Sequence, residues 1–250
     1  MELEEGYRLD DLMIGGFRLI QNTRQFCFGT DSVLLADFAT THTKGRDRIA
    51  ELCCGNGAVS VLMLARRGEN LICGFELQKD VCELCERNIE LNGLTEHMKV
   101  VNTDLKLIGK EHYNLYDAVV VNPPYYSAGS GPRIEDDSRR LSREEGSADL
   151  GDIIRMAKKM LKTRGKLIMV HRASRLGELA ALLAENGFAL KALQCVHASS
   201  DSPASLVLVS ASKQGGVWCD VEPPVIISGE DGGYTPQLLR IYHMDGEGTK

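Results

Sequence analysis

From residue 47 onward, short apolar runs alternate with stretches whose apolar residues recur every three or four positions. Continuous apolar runs bounded by turns predict buried strands, and the 3.6-residue period predicts helices packed against them. The pattern gives strands at 47–53, 70–75, 97–102 and 116–121, with helices at 58–67 and 79–91. Asn92-Gly93 is a good stop for the second helix. Pro123-Pro124 cuts off the strand 116–121, because proline cannot donate to a ladder. Beyond it the pattern predicts a helix at 149–161, a strand at 166–170 and a helix at 174–186 closed by Gly187. Strands at 188–197 and 205–212 leave no room for a helix between them and are expected to pair antiparallel. Repeated strand–helix alternation implies an α/β fold with a mostly parallel sheet covered on both faces.

The flanks read differently. Short strand-like pieces at 16–21 and 25–28 precede a helix at 30–40, and the tail after Gly215 is rich in Gly and Pro around one apolar strand at 224–228. The expected organisation is an N-terminal extension (1–45), a main domain (46–214) and a C-terminal segment (215–250) appended to that same domain.

Composition narrows the class. The 250 residues are 43% hydrophobic and 26% charged, as in ordinary soluble globular proteins. No apolar run approaches the roughly 18 residues of a membrane span. Met1 to Glu5 is acidic where a secretory signal would be basic, so a cytoplasmic location is expected. Most of the eight cysteines sit in apolar strand or helix patterns, and Cys82-x-x-Cys85 reads as two neighbouring helix positions, so no metal site is expected. The net charge of −6 does not suggest a nucleic-acid binder, but its distribution does not exclude one. Residues 133–175 hold twelve Lys/Arg against seven Asp/Glu, a local +5 on a remainder of −11. Such a basic surface is compatible with docking a polyanion.

The candidate chemistry lies at strand ends, where open parallel sheets bind ligands. Glu51-Leu-Cys-Cys-Gly55-Asn-Gly57 follows the first strand, and its glycines let backbone approach a ligand and enter a helix directly. Glu76 ends the second strand, where a carboxylate accepts from ribose hydroxyls, and Asp104 ends the third, placed to accept from an adenine amino group. A nicotinamide dinucleotide is disfavoured, since its fingerprint wants glycine where Ser60 stands.

The fourth strand ends in Asn122-Pro123-Pro124-Tyr125. An adenine amino group or glutamine amide is a poor nucleophile because its lone pair is delocalised. The Asn122 side-chain oxygen and the Pro123 carbonyl can both accept from such an NH2, hold it and aim its lone pair at an activated methyl group. The prolines present the carbonyl without reorganisation, and Tyr125 can stack on a planar target. No strong base is needed, because the alkylated nitrogen becomes acidic.

This arrangement resembles the class I S-adenosylmethionine-dependent methyltransferases that act on amino groups. From about Gly16 to Tyr242 the chain is similar to the bacterial tRNA(Val) adenine-N6 methyltransferases. The similarity includes Gly29-Thr-Asp-Ser-Val-Leu-Leu-Ala36, Gly74-Phe-Glu-Leu-Gln78, Asn88-x-x-x-Asn92-Gly, Val170-His-Arg172 and the tail Pro223-Pro with Tyr234-Thr. The resemblance implies a Rossmann-like, seven-stranded sheet with its last strand antiparallel, and S-adenosyl-L-methionine as cofactor. It also implies that Thr30 and Asp31 help close the methionine end. The cofactor set is then Thr30, Asp31, Glu51, Cys53, Gly55, Gly57, Glu76, Leu77, Asp104, Leu105 and Asn122, with Asn122, Pro123 and Tyr125 catalytic. The chain departs from the family where Glu51 and Cys53 replace the usual Asp and first Gly, and where Arg143-Glu144-Glu145 replaces Arg-His-Glu.

Downstream of the motif, 126–148 is long and poor in apolar residues, as binding loops are. It carries Arg133, Arg139, Arg140 and Arg143, which with Pro124 and Tyr126 form the expected substrate contacts, the arginines on phosphates of a tRNA anticodon stem-loop. Arg155, Lys158, Lys159 and Lys162 form a stripe on the next helix that reads better as a solvated face. The alternatives are a protein glutamine-N5 or other amino methyltransferase and a non-catalytic cofactor- or RNA-binding module. The first usually carries an N-terminal helical substrate domain, for which 1–45 is too short. The second would need a degraded motif.

Overall fold

The computed structural model describes residues 4–25, 27–123 and 148–244. Its main sheet contains eight strands in the order β10-β8-β9-β7-β6-β3-β4-β5. These are β3 (Arg48–Leu52), β4 (Leu71–Glu76), β5 (Met98–Asn102), β6 (Tyr116–Val121), β7 (Leu161–Arg172), β8 (Phe188–His197), β9 (Ala204–Lys213) and β10 (Asp220–Ile226). Neighbours from β7 through β6, β3 and β4 to β5 are parallel, whereas β9 runs antiparallel to both β7 and β8. The chain runs outward from β3 to β5 and returns to β6 on the other side of β3. That reversal opens a crevice beyond the carboxyl ends of β3 and β6.

The strands read as near-continuous apolar runs because both sheet faces are covered. Side chains alternate across the sheet. Ile49, Ile72, Val120 and Ile168 join one core with α1 (Thr30–His42), α2 (Ala58–Arg66) and α3 (Lys79–Leu91). Ala50, Cys73, Val119 and Leu167 join the other with α4 (Leu150–Met160) and α5 (Leu176–Glu185). The α4 start is fixed by a capping box in which Asp149 accepts from Asp152 N and Asp152 accepts in return.

Two expectations need correction. The sheet has eight strands, not seven, because the tail strand β10 adds in parallel to β8. The Pro223-Pro224 pair in β10 interrupts its register between Glu222 and Val225. In the piece at 25–28 the described residues Gln25, Cys27 and Phe28 lie in no strand: the Phe28 amide donates to the Gln21 side-chain oxygen at 2.9 Å. The partner of β2 (Arg18–Asn22) is instead β1 (Tyr7–Asp11), a half-exposed segment with a weak apolar pattern. A short helix, α6 (Pro236–Ile241), follows β10 and buries Leu238 in the first core.

Candidate active site

The loop leaving β3 combines three backbone conformations that favour glycine: Cys53 (φ +55°), Gly55 (φ +57°) and Gly57 (φ +85°). Gly57 caps α2, and a β-carbon there would stand 2.7 Å from Cys85 Sγ, so the helix start sits directly on α3. A β-carbon on Gly55 would meet nothing within 4 Å and would project into the open crevice. Cys54 lies against Gly74 of β4, where a β-carbon would come within 2.7 Å of its sulfur.

Asn88 and Asn92 of α3 hold this loop to the N-terminal hairpin. Asn88 accepts from Ile20 N at 2.7 Å and donates to Ile20 O and to Asn56 O, both at 3.0 Å. One turn on, Asn92 accepts from Arg18 N at 2.9 Å and donates to Arg18 O at 2.7 Å. Two amides at i and i+4 lie on one helix face and here imitate the edge of a strand against β2.

Carboxylates gather around the loop. Glu51, 2% exposed, accepts through Oε2 from the Ser60 amide at 3.1 Å and from the Ser60 hydroxyl. Burial pushes its pKa up to about 8 against the pull of those two bonds. Glu76 accepts from Gly55 N at 3.0 Å and Gln78 N at 2.9 Å, and burial raises its pKa as well. Asp104 caps a 3-10 turn (Leu105–Leu107) by accepting from Lys106 N at 2.8 Å. Leu105 is buried and Leu77 is half exposed. Burial, then the neighbouring Glu76, Glu51 and Asp104, hold the Cys53 thiol up to about 12, so it stays protonated. Glu51 therefore keeps its proton at neutral pH, and the crevice presents a set of carboxyl acceptors to a ligand.

At the end of β6, Asn122 turns its Nδ2 toward α1, donating to Asp31 Oδ2 at 3.2 Å and to Ser32 Oγ at 3.3 Å. Its Oδ1 is buried and has no hydrogen-bond partner among the described residues. Leaving a buried acceptor unpaired costs about 1–3 kcal/mol, and such atoms mark places where an acceptor is needed for something else. Pro123, next along, is buried. Thr30, at the head of α1, accepts at Oγ1 from Tyr242 OH at 3.1 Å, which ties the tail to the site.

The structure therefore brings Thr30, Asp31, Glu51, Cys53, Gly55, Gly57, Glu76, Asp104, Leu105 and Asn122 to one crevice between β6, β3, β4 and β5. The expected contacts Pro124, Tyr125, Tyr126, Arg133, Arg139, Arg140 and Arg143 lie outside the described residues. Of the expected helical stripe, Arg155 on α4 pairs with Asp152, whereas Lys162 lies in β7 and not on the helix, where it pairs with Asp117, so part of that basic set is neutralised internally. Sequence reasoning missed Ser32, Ser60, Asn88 and Tyr242. Ser60, read only as a missing glycine, is the partner of Glu51, and Asn88 was visible as part of a spacing but carried no assigned task. Among the described residues no group of three or more His, Cys, Asp or Glu side chains could hold a metal, and no helix is long and apolar enough to cross a membrane.

This strand order is the Rossmann-like fold of class I methyltransferases. The model of the methyltransferase small domain family matches residues 25–186, and the chain belongs to that family. A protein of Tolumonas auensis named tRNA1(Val) (adenine(37)-N6)-methyltransferase is 26% identical over 226 residues, 90% of this chain and 92% of its own length. Among solved structures, a predicted O-methyltransferase from Agrobacterium tumefaciens superposes with a TM-score of 0.67 at 22% identity, covering 86% of this chain and 96% of that one. TYW2 of M. jannaschii, solved in complex with AdoMet, gives a TM-score of 0.57 at 12% identity, covering 85% and 87%.

Proposed function

We propose that the protein methylates N6 of an adenine in tRNA. The observation that carries this reading is the buried, unpartnered Oδ1 of Asn122 beside Pro123 at the rim of the crevice. An acceptor so placed is matched by an NH2 donor. With the Pro123 carbonyl it takes up the two N–H bonds of an amino group and directs the nitrogen lone pair into the crevice.

S-adenosylmethionine, bound there, supplies a methyl carbon activated by positive sulfur. In this reading Glu76 accepts from the ribose hydroxyls and Asp104 from the adenine amino group, with Leu77 and Leu105 beside the ring. Gly55 and Gly57 admit the cofactor close to the backbone, Cys53 lines that turn, and Glu51 holds it through Ser60. Thr30 and Asp31 close the methionine end. Asp31 and Asp104 face the cofactor's positive charge, and the loss of that charge on transfer favours release of the product. Tyr125 stacks on the target base, which must leave its own stack to enter. Pro124, Tyr126, Arg133, Arg139, Arg140 and Arg143 hold the flanking anticodon stem-loop. Support for the tRNA substrate comes from the name of the T. auensis relative and from the local +5 charge of residues 133–175. With this reading goes a cytoplasmic location and an N-terminal segment (1–45) that packs on the cofactor site and is not a separate domain.

The test is mass spectrometry of tRNA nucleosides from a strain lacking the gene. The expected result is loss of N6-methyladenosine, restored by the wild-type chain and not by Asn122→Ala, whose turnover should fall at least about 100-fold. Unchanged N6-methyladenosine, with methylation of a protein glutamine instead, would overturn the substrate assignment.

A further inference from the structure

The Asn122 amide is anchored by its nitrogen alone. Nδ2 donates toward α1, to the Asp31 carboxylate at 3.2 Å and to the Ser32 hydroxyl oxygen at 3.3 Å. The opposite oxygen has no partner among the described residues. We propose that Asp31 and Ser32 are positioning residues that fix the Asn122 amide with its oxygen toward the substrate. This inference rests on the amine-methylating reading of the site.

The argument is one of donor and acceptor inventory. An ionised carboxylate accepts and cannot donate. Were the amide turned by 180°, its carbonyl oxygen would face Asp31 Oδ2, and its NH2 would face the amine it must receive. Both contacts would be repulsive, in a part-buried setting that screens them less than bulk water does. The orientation is therefore selected by charge as well as shape, and the acceptor stands ready before substrate arrives. Asp31 is itself constrained. Its Oδ1 accepts from Ser32 N at 2.8 Å, and the adjacent Thr30 is tied to Tyr242. Ser32 is 5% exposed, so its hydroxyl meets Asn122 from the buried side.

A reciprocal exchange tests the contact. Asn122→Asp alone sets two carboxylates face to face. It should lower Tm by about 5 °C and turnover on adenine-containing tRNA by at least about 100-fold at neutral pH. Adding Asp31→Asn restores one amide against one carboxylate with an acceptor still toward the crevice. The pair should recover most of the Tm and at least tenfold in turnover over Asn122→Asp alone. Ser32→Ala should lower kcat threefold to tenfold while the Kd for S-adenosylmethionine stays within twofold. A double variant no more stable than Asn122→Asp overturns the contact, without reference to any substrate. Stability recovered without turnover, or Ser32→Ala acting on cofactor Kd alone, overturns the positioning role. If the exchange behaves as expected in Tm but wild-type protein methylates no amine, the inference falls through the functional reading and the two failures are told apart.

Discussion

Glu51 is a carboxyl group almost without access to water, and its two bonds from Ser60 do not make up for the lost hydration. Below pH 4.5 it is protonated in both folded and unfolded chains. Between 4.5 and about 8 the unfolded chain gives up the proton and the folded one keeps it, so stability falls as pH rises through that window and levels off above it. The slope from this one group is on the order of 1 kcal/mol per pH unit. Urea denaturation of wild type and Glu51→Gln from pH 5 to 9 measures it. The variant should lack this component, and equal slopes in the two proteins would refute the account. Cys53 is a second oddity of the same loop. It holds a left-handed backbone that costs a non-glycine residue about 1–2 kcal/mol, at the position where the resemblance in sequence leads one to expect glycine. The departure from the family's sequence is thus a strained turn and leaves the glycines at 55 and 57 in place.

Among the elements, α3 does more than cover the sheet. Through Asn88 it joins β2 to the loop at Asn56, and through Asn92 it continues that seam at Arg18. Asn88→Ala would leave one amide and two carbonyls without partners around a fully buried position, a loss of about 2–4 kcal/mol. Asn92→Ala, near the surface, should cost under about 1 kcal/mol. Chemical denaturation gives both values, and equal effects would rule out the buried seam. The strands and helices from 47 to 197 were readable because burial on both faces writes each of them as an uninterrupted apolar run or a 3.6-residue period. β1 and α6 were not, since Tyr7–Asp11 is half exposed and Pro236–Ile241 has barely two turns in which to show a period. In the same way Glu76 and Asp104 announced themselves as acids at strand ends, while Ser32 and Tyr242 act through contacts that join residues 90 and 212 positions apart.

Taken whole, the molecule closes its first core with its own tail. Val225 and Leu238 are fully buried, Arg66 donates to Ile241 O at 2.6 Å, and Tyr242 stacks on Tyr234 and reaches Thr30. We propose on this basis that residues 215–250 belong to the same cooperative unit as the body. Leu238→Ala should then cost about 2–5 kcal/mol and move a single unfolding transition in calorimetry. A main transition left in place, with a small one split from it, would make the tail a separate appendage. The strand this tail contributes also has a consequence for how the sheet ends. Successive backbone N–H groups in a strand point to opposite sides, so adjacent Pro223 and Pro224 remove one donor facing β8 and one facing outward. The inner loss accounts for the slip in register at that point. The outer loss leaves a gap in the only row of hydrogen-bond donors that a foreign strand could zip onto along that margin, so the protein terminates its own sheet and guards that border against aggregation.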